Sequence, residues 1–298
     1  MTLHPQSVAA LATWQQGPSV TDPGFGPAEL AAMRADAVQQ AALEGREPVA
    51  WVADVDADGV PCRLYVPDGA RRPLLYLHGG GFALGEVETH DAQARRLANR
   101  TGSAVLSVDY RRPPEHPFPA APDDVDTALG WLLVQADGLG LDMSRVVAVG
   151  DSAGGNLALV AALRNPQALA ATVLVYPFVD AALSGSTYDA TDGGLTREEA
   201  RWYWQQYARG PEDLGDADLA PYLSERLGTL PPTLVQVAEH DVLAAEDLEL
   251  ARRIEAAGAP VTVTTYPGMV HGFWRHPELF DAAEESLAEI AGFLDAKV

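Results

Sequence analysis

Arg145-Val146-Val147-Ala148-Val149-Gly150-Asp151-Ser152-Ala153-Gly154, followed without a break by GNLALVAALR at 155–164, is the stretch on which the fold turns. A short apolar, β-branched run ends in a cluster of small residues, and a helical pattern begins at once. Gly150 to Gly154 fits G-x-S-x-G. A serine held on a sharp strand-to-helix turn needs small neighbours, because side chains there would strike the adjoining strand and helix. Moving outward, the same alternation recurs: PLLYLHG at 73–79, SAVLSVDY at 103–110, ATVLVYP at 171–177, TLVQVAE at 233–239 and VTVTTY at 261–266. Apolar runs alternating with helices predict a buried parallel sheet covered on both faces. Val49–Val55 and Cys62–Val66, joined by the turn-rich Asp56-Ala57-Asp58-Gly59, add an antiparallel edge pair, and residues 28–44 form a preceding helix behind Gly26-Pro27. The expected fold class is therefore α/β, with about eight mostly parallel strands. Chemistry is to be sought just past the carboxyl ends of the strands.

Three such ends carry reactive residue types. His78-Gly79-Gly80-Gly81-Phe82 follows PLLYL, and consecutive glycines let backbone N–H groups face a cavity without Cβ obstruction. Gly79, Gly80 and Gly81 are candidate donors to an oxyanion, joined by Ala153 at a helix N-terminus; each such donor is worth roughly 3–4 kcal/mol in a transition state. A serine hydroxyl needs a base, and the base needs a carboxylate to fix its tautomer. Of two late histidines, His271 lies in a glycine-flanked loop past the last strand, whereas His276 begins the final helix region, so His271 is the expected base. Asp241 directly follows TLVQVAEH, while Glu246 and Asp247 lie a turn or more into the next helix, so Asp241 is the expected acid. Ser152, Asp241, His271 is also the chain order that α/β-hydrolases use.

The 298 residues are 47% hydrophobic and 21% charged, in the range of folded globular proteins. A formal net charge of −22, with Lys297 as the sole lysine, opposes nucleic acid and anionic membranes as partners. No stretch has the uninterrupted apolar length of a membrane span, and the first residues lack a secretory pattern, so a cytoplasmic protein without stable membrane insertion is expected. Cys62 alone permits neither an internal disulfide nor a multi-cysteine metal site; it reads as a small residue in a strand.

The pairing of His78–Phe82 with Gly150-Asp151-Ser152-Ala153-Gly154-Gly155-Asn156, together with Tyr110–Pro119 and Gly268–Phe273, resembles the bacterial hormone-sensitive-lipase-like esterases over roughly residues 70–290. That resemblance implies a capped α/β-hydrolase fold, carboxylesterase activity on short or medium acyl chains, no cofactor and no metal, a small-molecule ester substrate, and frequent homodimers. It also implies that the second and third glycines supply the oxyanion donors. One segment departs: Arg112-Pro113-Pro114 stands where the family has leucine-alanine-proline. The segment is expected to be structural, with its prolines setting a turn and Arg111 and Glu115 making polar contacts. The organisation implied is cap helices at 1–48, a core at 49–179 and 229–298, and a cap insertion at 180–228. In that insertion TREEARWYWQQYARG forms an aromatic-rich helix, whose Trp202 and Tyr203, with Phe82, are candidate substrate contacts, although an aromatic cluster at helical spacing is more often packing. Two rivals stand beside the esterase: an arylformamidase-like amide hydrolase with the same machinery, and a non-catalytic binding protein on this scaffold.

Overall fold

The computed structural model describes residues 2–14, 17–135, 138–189 and 193–298. Eight strands form one sheet: β1 (Trp51–Ala57), β2 (Val60–Val66), β3 (Pro73–Leu77), β4 (Ala104–Val108), β5 (Val147–Asp151), β6 (Ala171–Val175), β7 (Thr233–Ala238) and β8 (Val261–Tyr266). Their spatial order is β1-β2-β4-β3-β5-β6-β7-β8. β2 runs antiparallel to both β1 and β4, and the remaining pairs are parallel. Every residue of β3 to β7 is buried, which is why those runs carry no polar alternation.

Successive side chains point to opposite faces, so the sheet divides its own apolar residues between two cores. Leu75, Leu77, Leu106 and Ala148 pack on one face against α4 (Ala120–Gln135), α5 (Ala153–Arg164) and α7 (Ala244–Ala256). Leu74, Tyr76, Val105 and Val147 pack on the other against α3 (Asp91–Thr101) and α8 (Asp281–Lys297).

The edge hairpin corrects one expectation. The first strand was expected to stop at Val55, but it continues through Asp56 and Ala57, because Asp58 and Gly59 alone make the turn, both with positive φ (53° and 95°). A two-residue Asp-Gly turn of that kind matches the twist of the strands it joins. Cys62 lies buried in β2 as expected, its thiol pushed up to about 12 by burial and therefore unreactive.

Two segments stand over the carboxyl ends of the strands. The first holds α1 (Pro5–Trp14) and α2 (Pro27–Ala41). α1 is tied to the loop after β8 by His4 N–H and the Ser7 hydroxyl, both donating to Gly268 O. From α2, Arg34 donates to Ala83 O and Pro113 O and pairs with Glu115 at 2.8 Å. Glu115 and Arg111, which pairs with Asp124 at 2.7 Å, thus make the polar contacts expected of their segment. The second segment runs from Asp180 to about residue 228 and holds α6 (Arg197–Tyr207), capped by Thr196 and Glu199, followed by short 3-10 turns. Within its loop-like stretch at 184–194, residues 190–192 lie outside the described residues.

Candidate active site

β5 ends in a sharp turn into α5. Ser152 has φ 55° and ψ −119°, and its N–H and C=O are held by Val175 O and Phe178 N. The glycines around it are there because nothing else fits. A Cβ on Gly150 would lie 2.1 Å from Gly154 O, and one on Gly154 would lie 1.9 Å from Leu77 O. Both obstacles are backbone, so Gly154→Ala must displace β3 or the start of α5. A loss of about 3 kcal/mol in unfolding free energy is expected in urea titration; a loss under about 1 kcal/mol would contradict this contact.

Ser152 Oγ lies 3.0 Å from His271 Nε2, and His271 Nδ1 lies 2.6 Å from Asp241 Oδ2. Asp241 is itself fixed, because its Oδ1 accepts the Leu243 N–H at 3.0 Å. The three side chains that the sequence singled out thus form one continuous hydrogen-bonded line. Their competitors point elsewhere. His276 bonds Glu278 and packs on Trp14. Glu246 accepts the N–H groups of Val179 and Asp180 and the Tyr188 hydroxyl, with its carboxyl raised to about 8 by burial. The Asp247 carboxyl is buried with no hydrogen-bond partner among the described residues.

Electrostatics favour a protonatable base. Burial pulls the His271 pKa down, but the charge and hydrogen bond of Asp241 outweigh it. Asp151 and Glu199 add in the same direction, so His271 lies above an ordinary histidine.

Past β3, Gly80 and Gly81 line the pocket in backbone conformations (φ 119° and 57°) that glycine adopts freely. The N–H groups of Gly80, Gly81 and Ala153 have no acceptor among the described residues. Gly79 departs from expectation: its N–H donates to Asp151 Oδ1 at 3.2 Å, so it sits outside the donor set. Its missing Cβ, which would come within 2.5 Å of Asp151 Oδ2, lets the buried carboxylate approach. Asp151 also accepts the Tyr76 hydroxyl; burial raises its pKa, and the positive charge of Arg275 opposes that rise. His78 braces the same loop from behind. It is stacked on Tyr110 with centroids 4.3 Å apart, and burial drives its pKa down to about 3, so it stays neutral.

The pocket over Ser152 holds about 230 Å³. One wall comes from the segment that carries α6, with Gly194, Leu195, Glu199 and Tyr203, and the opposite wall includes Tyr176, Phe178 and Arg275. Of the three expected substrate contacts only Tyr203 lies on it, its ring so close to Gly81 that a Cβ there would be 2.2 Å away. Phe82 turns into the core at φ 63° and stacks on Tyr207 at 3.8 Å. Trp202 packs edge-on against Phe25, 5.5 Å between centroids, and does not line the pocket. Sequence reasoning missed Asp151, Glu199 and Arg275. Only Asp151 carried a signal, its place beside Ser152. Among the described residues no group of three or more His, Cys, Asp or Glu side chains could hold a metal ion.

Residues 74–275 match the model of a family described by its alpha/beta hydrolase fold. The chain belongs to this family, in its hormone-sensitive-lipase-like branch. Among α/β-hydrolase relatives, an ethyl acetate hydrolase of Pseudomonas putida is 36% identical over 247 residues, which is 79% of this chain and 78% of that one. The carboxylesterase NlhH of Mycobacterium tuberculosis is 37% identical over 76% of this chain and 75% of its own. In structure, a hyperthermophilic esterase of the archaeon Pyrobaculum calidifontis superposes with a TM-score of 0.90 at 32% identity, covering 99% of both chains. A thermophilic carboxylesterase cloned from a metagenomic library, EstE1, does so with 0.84 at 36% identity, over 90% of this chain and 97% of that one.

Proposed function

We propose that this chain is a serine carboxylesterase that hydrolyses short- to medium-chain esters through an acyl-enzyme on Ser152. The observation that supports it most is the unbroken line from Ser152 Oγ through His271 to Asp241, beside N–H groups that have no acceptor among the described residues. His271 Nδ1–H is held by Asp241, which leaves Nε2 as the lone-pair nitrogen facing the hydroxyl. As Ser152 Oγ attacks the ester carbonyl, Nε2 takes its proton, and the oxyanion is received by Gly80, Gly81 and Ala153 N–H. The imidazolium returns that proton to the departing alcohol. Water then attacks the acyl carbon as Nε2 takes its proton, and the imidazolium passes that proton to Ser152 Oγ as the acid leaves. Asp241 stays ionised and holds the ring throughout.

The N-terminal segment to residue 48 and the segment at 180–228 act in this proposal as a cap. Tyr203 against Gly81 keeps the cavity near 230 Å³, below the usual volume of drug-sized ligand sites, which favours small acyl and alcohol groups. Hydrolysis rates across 4-nitrophenyl esters of rising acyl length test this: they should peak at short chains and fall steeply at long ones, and a maximum at long chains would refute it. Cytoplasmic residence and a homodimeric state belong to the same proposal, with light scattering on the purified chain as the test of the dimer. Among the described residues no helix is long and apolar enough to cross a membrane.

The pH profile follows from His271. Its imidazole must be neutral to accept the proton, and its pKa is raised in the fold, so kcat/KM should fall on the acid side with a midpoint above 6.5. A profile flat down to pH 5 would contradict this.

A further inference from the structure

Four acidic or basic residues line the pocket: Asp151, Glu199, His271 and Arg275. Two of them oppose each other on the core side, where the positive charge of Arg275 acts on the buried Asp151. Glu199 stands alone on the cap side, on the same face of α6 as Tyr203 one turn later. Its carboxylate is held in place. Oε1 accepts the Ser19 hydroxyl at 2.7 Å, and Oε2 accepts the N–H and hydroxyl of Thr196, both at 2.9 Å. No cation pairs with it among the described residues. A fixed negative charge on the wall of this small pocket, near enough to help raise the His271 pKa, acts on any charge that a substrate brings. The whole chain carries the same sign.

We propose that Glu199 is a specificity-determining residue, making the pocket select uncharged or cationic esters and exclude those bearing a carboxylate. This inference rests on the carboxylesterase reading. It is tested with two matched series on the full chain. The acyl series is 4-nitrophenyl pentanoate against mono-4-nitrophenyl succinate; the alcohol series is phenyl acetates carrying a para methyl, trimethylammonium or carboxylate group. Glu199→Gln removes the charge but keeps a residue able to complete the capping box with Thr196, so the helix start survives. Glu199→Gln should lower the neutral-to-anionic ratio of kcat/KM by about tenfold in at least one series. Ser19→Ala loosens the same tie but retains the charge, and it should leave both ratios within about twofold. Ratios unmoved by Glu199→Gln, or moved equally by Ser19→Ala, would overturn the assignment. Absence of any turnover of the neutral esters by the unaltered chain would instead remove the esterase reading, and this inference with it.

Discussion

Ser152→Ala should lower kcat by on the order of a million-fold without disturbing the fold. The size follows from what is lost. Without Oγ no acyl-enzyme forms, and His271 Nε2 is left facing a methyl group, while the donors at Gly80, Gly81 and Ala153 remain to give a small residual rate. The fold should survive because the unusual backbone at Ser152 is set by its neighbours: Val175 O and Phe178 N grip its peptide groups, and Gly150, Gly154 and Gly155 make room. Steady-state rates on 4-nitrophenyl butyrate, with unfolding curves for both proteins, check the two halves. A variant with a tenth of normal activity would be incompatible with Ser152 as nucleophile.

Asp241→Asn should cost about 10⁴ in kcat, and the reason can be traced to one hydrogen bond. Asp241 presents Oδ1 to the Leu243 N–H and Oδ2 to His271 Nδ1. An asparagine must turn its single oxygen toward Leu243, because that N–H needs an acceptor. Its NH₂ then faces His271 and forces the proton onto Nε2, where it blocks acceptance from Ser152. The structure changes little, and the base is held in the wrong tautomer. Kinetics together with imidazole nitrogen NMR separate this from misfolding: the variant should show a folded protein with Nε2 protonated. Near-normal turnover would contradict the role given to Asp241.

The residues of the line were legible because each one lies at or just past the carboxyl end of a strand-like run. A parallel sheet brings all those ends to one edge, so position together with residue type was enough to pick out Ser152, Asp241 and His271. The pocket walls were not legible, since they depend on how α6 is rotated. Trp202, Tyr203 and Trp204 are consecutive, and successive residues on a helix point about 100° apart. One packs on Phe25, one faces Gly81, and one fills the core against Phe178. Nothing local distinguishes them, because the choice is made by the partners that surround the helix. Phe82 failed for a related reason: after three glycines its backbone turns to positive φ and delivers the ring to Tyr207 rather than to the cavity. Gly79 needed Asp151, which is adjacent in space and 72 residues away in sequence.

Covalent labelling puts the central claim to its most direct test. The chain is treated with a 4-nitrophenyl phosphonate, which a hydroxyl activated by His271 attacks with release of nitrophenolate, and the product is mapped by peptide mass spectrometry. One phosphonyl group per chain on Ser152, formed as activity disappears, is the predicted result. A label on another residue, or full activity with none on Ser152, would contradict it.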